Sequence, residues 1–381
     1  MRILHLCLSA SYVEGLSYQE NLLSQYHKKM GYDVYVVASL KTFNKDGEYV
    51  FDNKPETYTN KYGITVNKLA YKKPLKVGRL FRTYKGSYKA IEDINPDIIF
   101  CHGVQFLDAK VLIKYMRKHP NVKLYVDNHS DFSNSATNWV SKNIQHKILW
   151  RHYAQKLNPY VQKFYGVLPA RVDFLVDLYH LPKEKVELLV MGADDELVDS
   201  ARDSEVRKNI REQYNIAEDD FLIINGGKID QWKKQTLLLM DAVNEISDPK
   251  VKLLVFGSIT PELKDEVNKR CSEKVQYIGW VQSEDSYRYF AASDLAVFPG
   301  RHSVFWEQVA GQGIPMIVKY WDGTTHVDFD GNVLFLYKDQ VVEIKVAIET
   351  AKKEYNHMKA VAQNVHENFL YSRIAKKGIE L

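Results

Sequence analysis

Lys228 and Lys233 follow a glycine pair in the segment Gly226-Gly227-Lys228-Ile229-Asp230-Gln231-Trp232-Lys233-Lys234. An apolar run at 221–225 precedes them, and a helix-like apolar pattern extends from Thr236 to Val243. Glycine lets the backbone turn sharply where a strand ends. The start of a helix presents free N–H groups that already favour anions. Two ammonium groups beside such a loop suit a diphosphate. They equally suit a solvated basic loop, because the spacing is neither a P-loop nor a G-x-G-x-x-G fingerprint.

A second segment repeats the design. The run 295–298 leads into Pro299-Gly300-Arg301-His302-Ser303-Val304-Phe305-Trp306-Glu307-Gln308. Residues 304–310 read as a helix with Ser303 as its N-cap, and Gly313-Ile314-Pro315 ends it. Glu307 stands about one turn into that helix. A carboxylate there could hold paired ribose hydroxyls or simply serve the helix dipole. In the first half, the run 124–126 leads to Asp127-Asn128-His129-Ser130-Asp131, which fits either chemistry or an Asx-rich turn. Gly15, before Leu16-Ser17-Tyr18-Gln19-Glu20, and His102-Gly103, after the run 98–101, are weaker cases of the same kind.

Short apolar runs at 3–8, 34–38, 98–101, 124–126, 164–168 and 186–190 alternate with amphipathic stretches such as 18–30 and 108–118. That alternation predicts α/β units with doubly wound parallel sheets. It pauses over the charged segment 191–215 and restarts at 221–225, 253–256, 275–278, 295–298, 316–318 and 333–336. The reading is a domain over 1–195, a second over 196–360, and a tail helix over 361–381 packing back on the first. Ligands of such sheets bind beyond the carboxyl ends of the strands, where all the segments above lie.

The 381 residues exceed what one core usually supports. With 45% apolar and 26% charged residues the chain has the balance of a globular protein, and its net charge of +4 implies no nucleic-acid partner. Cys7, Cys101 and Cys271 are far apart and have no metal-ligand spacing, which suits a reducing compartment. Asn128-His129-Ser130 matches a glycosylation acceptor, yet no secretory signal accompanies it. No run approaches the roughly 18 apolar residues of a spanning helix. The expectation is a cytoplasmic protein, soluble or held at the inner face of the cell membrane. One stretch suits the second option. Lys72, Lys73, Lys76, Arg79, Arg82, Lys85 and Lys89 interleave with Leu75, Val77, Leu80, Phe81, Tyr84 and Tyr88, as in basic segments that sit on anionic lipid or in solvated helices.

At these residues the chain resembles the retaining family-4 glycosyltransferases of GT-B fold. The resemblance covers nearly the whole length and is strongest over 221–315. The family's Gly-Arg-Leu-x-x-x-Lys-Gly pattern is similar to Gly227 through Lys234, so the resemblance assigns the donor diphosphate to Lys228 and Lys233. Leu253-Leu254-Val255-Phe256-Gly257-Ser258 resembles the strand-glycine segment that follows. Val275-Gln276-Tyr277-Ile278-Gly279-Trp280-Val281 resembles the loop that lines the base pocket, which implicates Ile278 and Trp280. Met191-Gly192-Ala193-Asp194 is similar to the close of the first domain, His129 falls where the family carries an active-site histidine, and Gly15 falls in the first glycine loop.

The family pattern Glu-Gly-Phe-Gly, with a second Glu eight positions on, is altered. Aligned on Gly313-Ile314-Pro315, the first Glu becomes Gly300, Gly-Phe-Gly becomes Arg301-His302-Ser303, and the second Glu becomes Gln308 with Glu307 one residue early. Either Glu307 or Gln308 then holds the ribose, and Val304 adds its amide to the phosphate cradle.

The resemblance implies two Rossmann-like domains facing each other across a cleft, with the acceptor on the first and the nucleotide-sugar donor on the second. It implies retaining, hexosyl transfer to a glycan or lipid-linked acceptor in bacterial surface-polysaccharide synthesis, with no metal and no cofactor beyond the donor. An epimerase of sugar nucleotides and a non-catalytic sugar-nucleotide-binding protein share the architecture.

Overall fold

Runs of aliphatic and β-branched residues too short for a helix become strands, and parallel strands are buried on both faces. The computed structural model describes residues 1–43, 49–51 and 54–380. Its contacts divide it into two units, Met1–Val190 with Ile374–Leu381, and Met191–Arg373.

The first unit holds β1 (Arg2–Cys7), β2 (Asp33–Ser39), β3 (Lys41–Phe43), β4 (Tyr49–Phe51), β5 (Glu56–Thr59), β6 (Thr65–Leu69), β7 (Ile98–His102), β8 (Lys123–Asn128), β9 (Val161–Gly166) and β10 (Val186–Leu188). Its main sheet has the order β10-β9-β8-β7-β1-β2-β6-β5. All pairs are parallel except β5 with β6. β3 and β4 form a separate antiparallel pair. The central strands are the ones the apolar runs announce: every residue of β7 is buried. The outer pair β5 and β6 was not foreseen. Thr65-Val66-Asn67-Lys68-Leu69 mixes polar and apolar residues and offers no continuous apolar run. The strand expected at 164–168 begins earlier, at Val161, and its start hides from an apolar-run reading because Gln162 is exposed and Lys163 pairs with Glu187.

The second unit holds β11 (Phe221–Gly226), β12 (Val251–Phe256), β13 (Val275–Tyr277), β14 (Leu295–Phe298), β15 (Met316–Lys319) and β16 (Val333–Leu336). Their order is β13-β12-β11-β14-β15-β16, parallel throughout. Each unit has its own apolar core. One is built around Leu4, Ile99, Phe106 and Phe164. The other is built around Ile223, Leu239, Leu253 and Ile348.

The charged segment 191–215, where the alternation pauses, forms two helices, Asp195–Ala201 and Ser204–Gln213, each capped by an aspartate, Asp194 and Asp203. Arg207 and Arg211 of the second helix reach Asp294 at 2.7 and 3.4 Å, and Asp294 also accepts the Leu222 N–H at 2.8 Å. This ties the helix to the base of β11 and β14.

The tail expected from 361 is composite. Tyr355–Val365 is a helix of the second unit, and after the turn His366–Phe369 the helix Tyr371–Ile379 carries the chain back to the first. There Tyr125 Oη donates to Ile379 O at 3.0 Å, and Lys377 Nζ donates to Leu188 O at 2.9 Å.

The basic stretch 72–89 is not one amphipathic helix. Leu75–Phe81 is helical, Arg82 breaks it with φ of +49°, and a new helix begins at Ser87. Leu75, Val77, Leu80 and Phe81 are exposed, whereas Tyr84 is buried and Tyr88 packs on the core. No helix among the described residues is long and apolar enough to cross a membrane.

Candidate functional site

The loops after β11, β12 and β13 extend the sheet's hydrogen bonding past the strand ends. Gly227, at φ of +128°, donates its N–H to Phe256 O at 3.0 Å. Gly257, at φ of +130°, donates to Gly279 O at 2.8 Å, and Ile278 donates to Val255 O at 2.9 Å. A Cβ on Gly257 would fall on the Gly227 carbonyl, so this close approach of two loops requires glycine. Ile278 is half-buried behind these loops, and Trp280 is exposed beyond them.

One recess collects the phosphate candidates. Gly227, Lys228, Lys233, Arg301 and Ser303 line it, together with Asn225, Gly226, Thr236, Phe298, Pro299 and Gly300. The lysine loop is fixed by Asp230, whose Oδ1 accepts the Trp232 and Lys233 N–H groups at 2.9 and 3.1 Å. Burial pushes the Lys233 ammonium below its ordinary range, with Asp230 acting against the shift. Lys228 remains mostly exposed, 3.7 Å from Asp230. The Arg301 guanidinium stacks 4.5 Å over the Trp232 ring. An ammonium held in a partly dry recess has unmet demand for an anion, which is the property a diphosphate site needs.

The neighbouring loop departs from expectation. Its helix is Phe305–Gly311 with Val304 at the N-cap position and no side-chain cap, so Ser303 does not cap it. Ser303 instead gives its backbone carbonyl to the Trp306 N–H at 3.0 Å.

Glu307 is fully buried, not presented to an open groove. Its Oε1 accepts from Nε2 of both His302 and His326, each at 2.8 Å, and Oε2 has no partner among the described residues. Burial works against the charge on Glu307, yet the two imidazoles outweigh it and hold the carboxyl well below its usual range. Gln308 is equally buried, and both its amide atoms lack partners among the described residues. His302, Glu307 and His326 are also the one group of three among the described residues that could ligate a metal, with ligand atoms within 4.8 Å of one another. Their 2.8 Å N···O spacings are those of hydrogen bonds. His326 was missed from sequence. It lies in the loop after β15, in the same strand-end position as the residues singled out elsewhere.

In the first unit, β8 delivers Asp127 and Asn128 into the interior and His129 just beyond. Asn128 Oδ1 accepts from Gln105 Nε2 at 2.8 Å, and Asp131 pairs with Arg171 at 3.1 Å. His129 Nε2 lies 3.5 Å from Asp127 Oδ2. Burial alone would lower the His129 pKa, but the Asp127 carboxylate prevails and raises it. Burial works against the charge on Asp127, while His102 and His129 favour it and lower the carboxyl's pKa. Gly15 sits at an exposed turn of the same unit, ahead of the helix Gln19–Lys29.

Comparison with known proteins bears on these units. Residues 220–332 match the family described as Glycosyl transferases group 1. The stretch contains both the lysine loop and the Glu307 helix. A search of the curated proteins finds no match. Among solved structures, HepE of Anabaena in complex with UDP and glucose is 16% identical, with a TM-score of 0.65 over 99% of this chain and 98% of that one. A glycosyltransferase from Rickettsia africae is 14% identical, with a TM-score of 0.66 over 99% and 96% of the two chains. UDP-GlcNAc 2-epimerase from Neisseria meningitidis, bound to UDP-GlcNAc, is 11% identical, with a TM-score of 0.62 over 99% and 98%. At these identities the likeness is one of fold. The chain has the two-domain α/β architecture of GT-B proteins.

Proposed function

We propose that this protein is a retaining family-4 glycosyltransferase that moves a hexose from a nucleotide-diphosphate sugar to a hydroxyl of a glycan or lipid-linked acceptor. The observation that carries the reading is the recess where Lys228, Lys233, Gly227 and Arg301 converge, inside the stretch that matches Glycosyl transferases group 1. In this reading the bond from the sugar's anomeric carbon to the diphosphate breaks as the acceptor oxygen bonds to the same face of that carbon, and the acceptor proton is released. The departing diphosphate gains negative charge at the recess, where Lys233 and Lys228 stabilise it, and no metal is assigned to this role. Burial makes the Lys233 charge more effective than an exposed ammonium would be.

Either Glu307 or Gln308 is assigned to the ribose: Glu307 Oε2 and the Gln308 amide lack partners among the described residues, and because both are buried the loop must open for the ribose to reach them. Ile278 and Trp280 are assigned to the base, and His302, Ser303 and Val304 to the sugar and phosphate side. In the first unit His129 is assigned to positioning the acceptor or a sugar hydroxyl, and the Gly15 turn to donor approach. The protein acts in the cytoplasm, at the inner face of the membrane where a lipid-linked acceptor would lie, and serves surface-polysaccharide synthesis.

UDP is the first nucleotide to test, because HepE and the epimerase above hold uridine nucleotides. A ligand that binds the native state raises the melting temperature by mass action. UDP or a UDP-sugar is expected to do so here, with Lys233→Ala abolishing the shift and lowering turnover by about 10²–10³-fold. No shift with UDP-, GDP- or dTDP-sugars, or full turnover in the variant, would remove the diphosphate assignment. The epimerase-like fold keeps one alternative open. Conversion of the donor sugar without acceptor would select it.

A further inference from the structure

The interior of the first unit contains a line of imidazoles that the proposed reaction does not use. His27 Nε2 lies 2.9 Å from Ala375 O, and His27 Nδ1 lies 3.0 Å from His5 Nε2. His5 Nδ1 lies 2.9 Å from His102 Nε2, and His102 Nδ1 lies 2.7 Å from Asp127 Oδ2. All three rings and Asp127 are fully buried. The line begins on the helix Gln19–Lys29, crosses β1 and β7, and ends on β8 one residue before Asn128-His129.

Counting protons limits what this line can be. Each of the four contacts needs one proton between its two heavy atoms, because two facing lone pairs repel. The Ala375 carbonyl has none to give. Three neutral imidazoles carry three, so one contact would face lone pair to lone pair in the buried interior. Four satisfied contacts need a fourth proton. Either one ring is an imidazolium beside the Asp127 carboxylate, or Asp127 is a carboxylic acid and all three rings carry their proton on Nε2. The group has no net charge in either arrangement, which is the state burial tolerates. Burial pushes the His27 ring down to about 4 and His5 well below the usual imidazole range, so those two rings resist the charge. Attraction to Asp127 is greatest for a charge on His102, which touches it.

We propose that His102, His5 and His27 are positioning residues that together with Asp127 hold one proton beyond the complement of three neutral rings and a carboxylate, and that this buried proton sets the charge Asp127 presents to His129. The proposal deepens, and rests on, the reading in which His129 serves the transfer reaction. The protons themselves can be observed without that reading. With the proton in the line, Asp127 is compensated from behind and pulls less on His129. Without it, the full carboxylate faces His129 at 3.5 Å. The other titratable or charged groups acting on this pair are Glu20, Arg171 and the thiols of Cys7 and Cys101, which burial keeps protonated.

The test uses the full chain with ¹⁵N-labelled histidine. At pH 7.5 the ring nitrogens of the native protein should show one imidazolium among His5, His27 and His102, or all three as neutral Nε2–H forms. Three neutral rings with His102 as the Nδ1–H form would overturn the proposal. Two variants read the consequence for His129. His27→Leu leaves two contacts for two rings, so the extra proton is no longer needed, and the His129 pKa should rise by about one unit. In His27→Gln the amide oxygen accepts from His5 and the amide NH₂ can reach Ala375 O. The need for the extra proton returns, and His129 should titrate as in the native protein. Identical His129 titrations in the Leu and Gln variants would also overturn it. If His27→Leu does not fold, the ring-nitrogen spectrum of the native protein decides. A positive spectrum in a protein without transferase activity would leave the relay standing and remove only the reading it deepens.

Discussion

Glu307 shows how far a residue's chemistry is legible and where it stops. Its type and its place one turn into a helix mark it from sequence as a carboxylate beside phosphate chemistry. Its partners were half legible, since His302 lies five positions before it while His326 comes from another loop. Long-range pairing of this kind leaves no local signature.

The pairing has a measurable sign. In the unfolded chain the carboxyl takes its proton near pH 4.5, and in the fold it does so at lower pH. A depressed folded pKa gives stability that is complete above the unfolded value and is lost as pH falls through the window beneath it. Urea midpoints of the native protein should therefore drop below about pH 4.5 more steeply than those of Glu307→Gln. At pH 7 the variant should be less stable by about 3 kcal/mol, because the remaining buried partners lose a charged acceptor. Parallel acid limbs for the two proteins would show that the histidines do not hold this charge.

At the scale of elements, the apolar runs locate the buried centre of each sheet because a strand covered on both faces has no reason to alternate. β5 and β6 escape that reasoning: they lie at the sheet's rim, and Glu56-Thr57-Tyr58-Thr59 is mostly exposed. The lysine loop was legible because a strand end, two glycines and two cations sit in consecutive sequence. The basic stretch was legible in composition and not in shape. Its apolar side chains split, Tyr84 and Tyr88 going inward while Leu75, Val77, Leu80 and Phe81 stay outside beside Lys76 and Arg79. Within this stretch, the short helix Leu75–Phe81 is the part that keeps exposed apolar side chains for a lipid surface. Co-sedimentation with vesicles rich in anionic lipid should fall several-fold in Leu80→Ser/Phe81→Ser, and should fall with added salt in the native protein. Binding that is absent in the native protein would confine the chain to soluble acceptors.

At the scale of the whole molecule, alternation of short apolar runs with amphipathic stretches indicates two α/β units, and each has its own core. The tail helix expected over 361–381 to pack back on the first unit gives that unit only the residues from 374 on. Residues 374–379 belong to the first unit, where Gly378 packs against Phe100 and Leu189 and Ala375 O receives the His27 ring. A chain shortened to end at Arg373 should lose amide-exchange protection in β1 and β7 while β11 and β12 keep theirs. Equal loss in both sets would mean that the two units unfold as one.

The same return of the chain governs the order in which the molecule can be made. Domains emerging from a ribosome usually finish in the order they are translated. Here the unit translated second has all its parts once Arg373 is out, while the unit begun first still lacks the carbonyl that receives His27. Maturation of the older unit thus waits for residues 374–379, and a nascent chain paused before them would hold a completed second unit attached to an open first one.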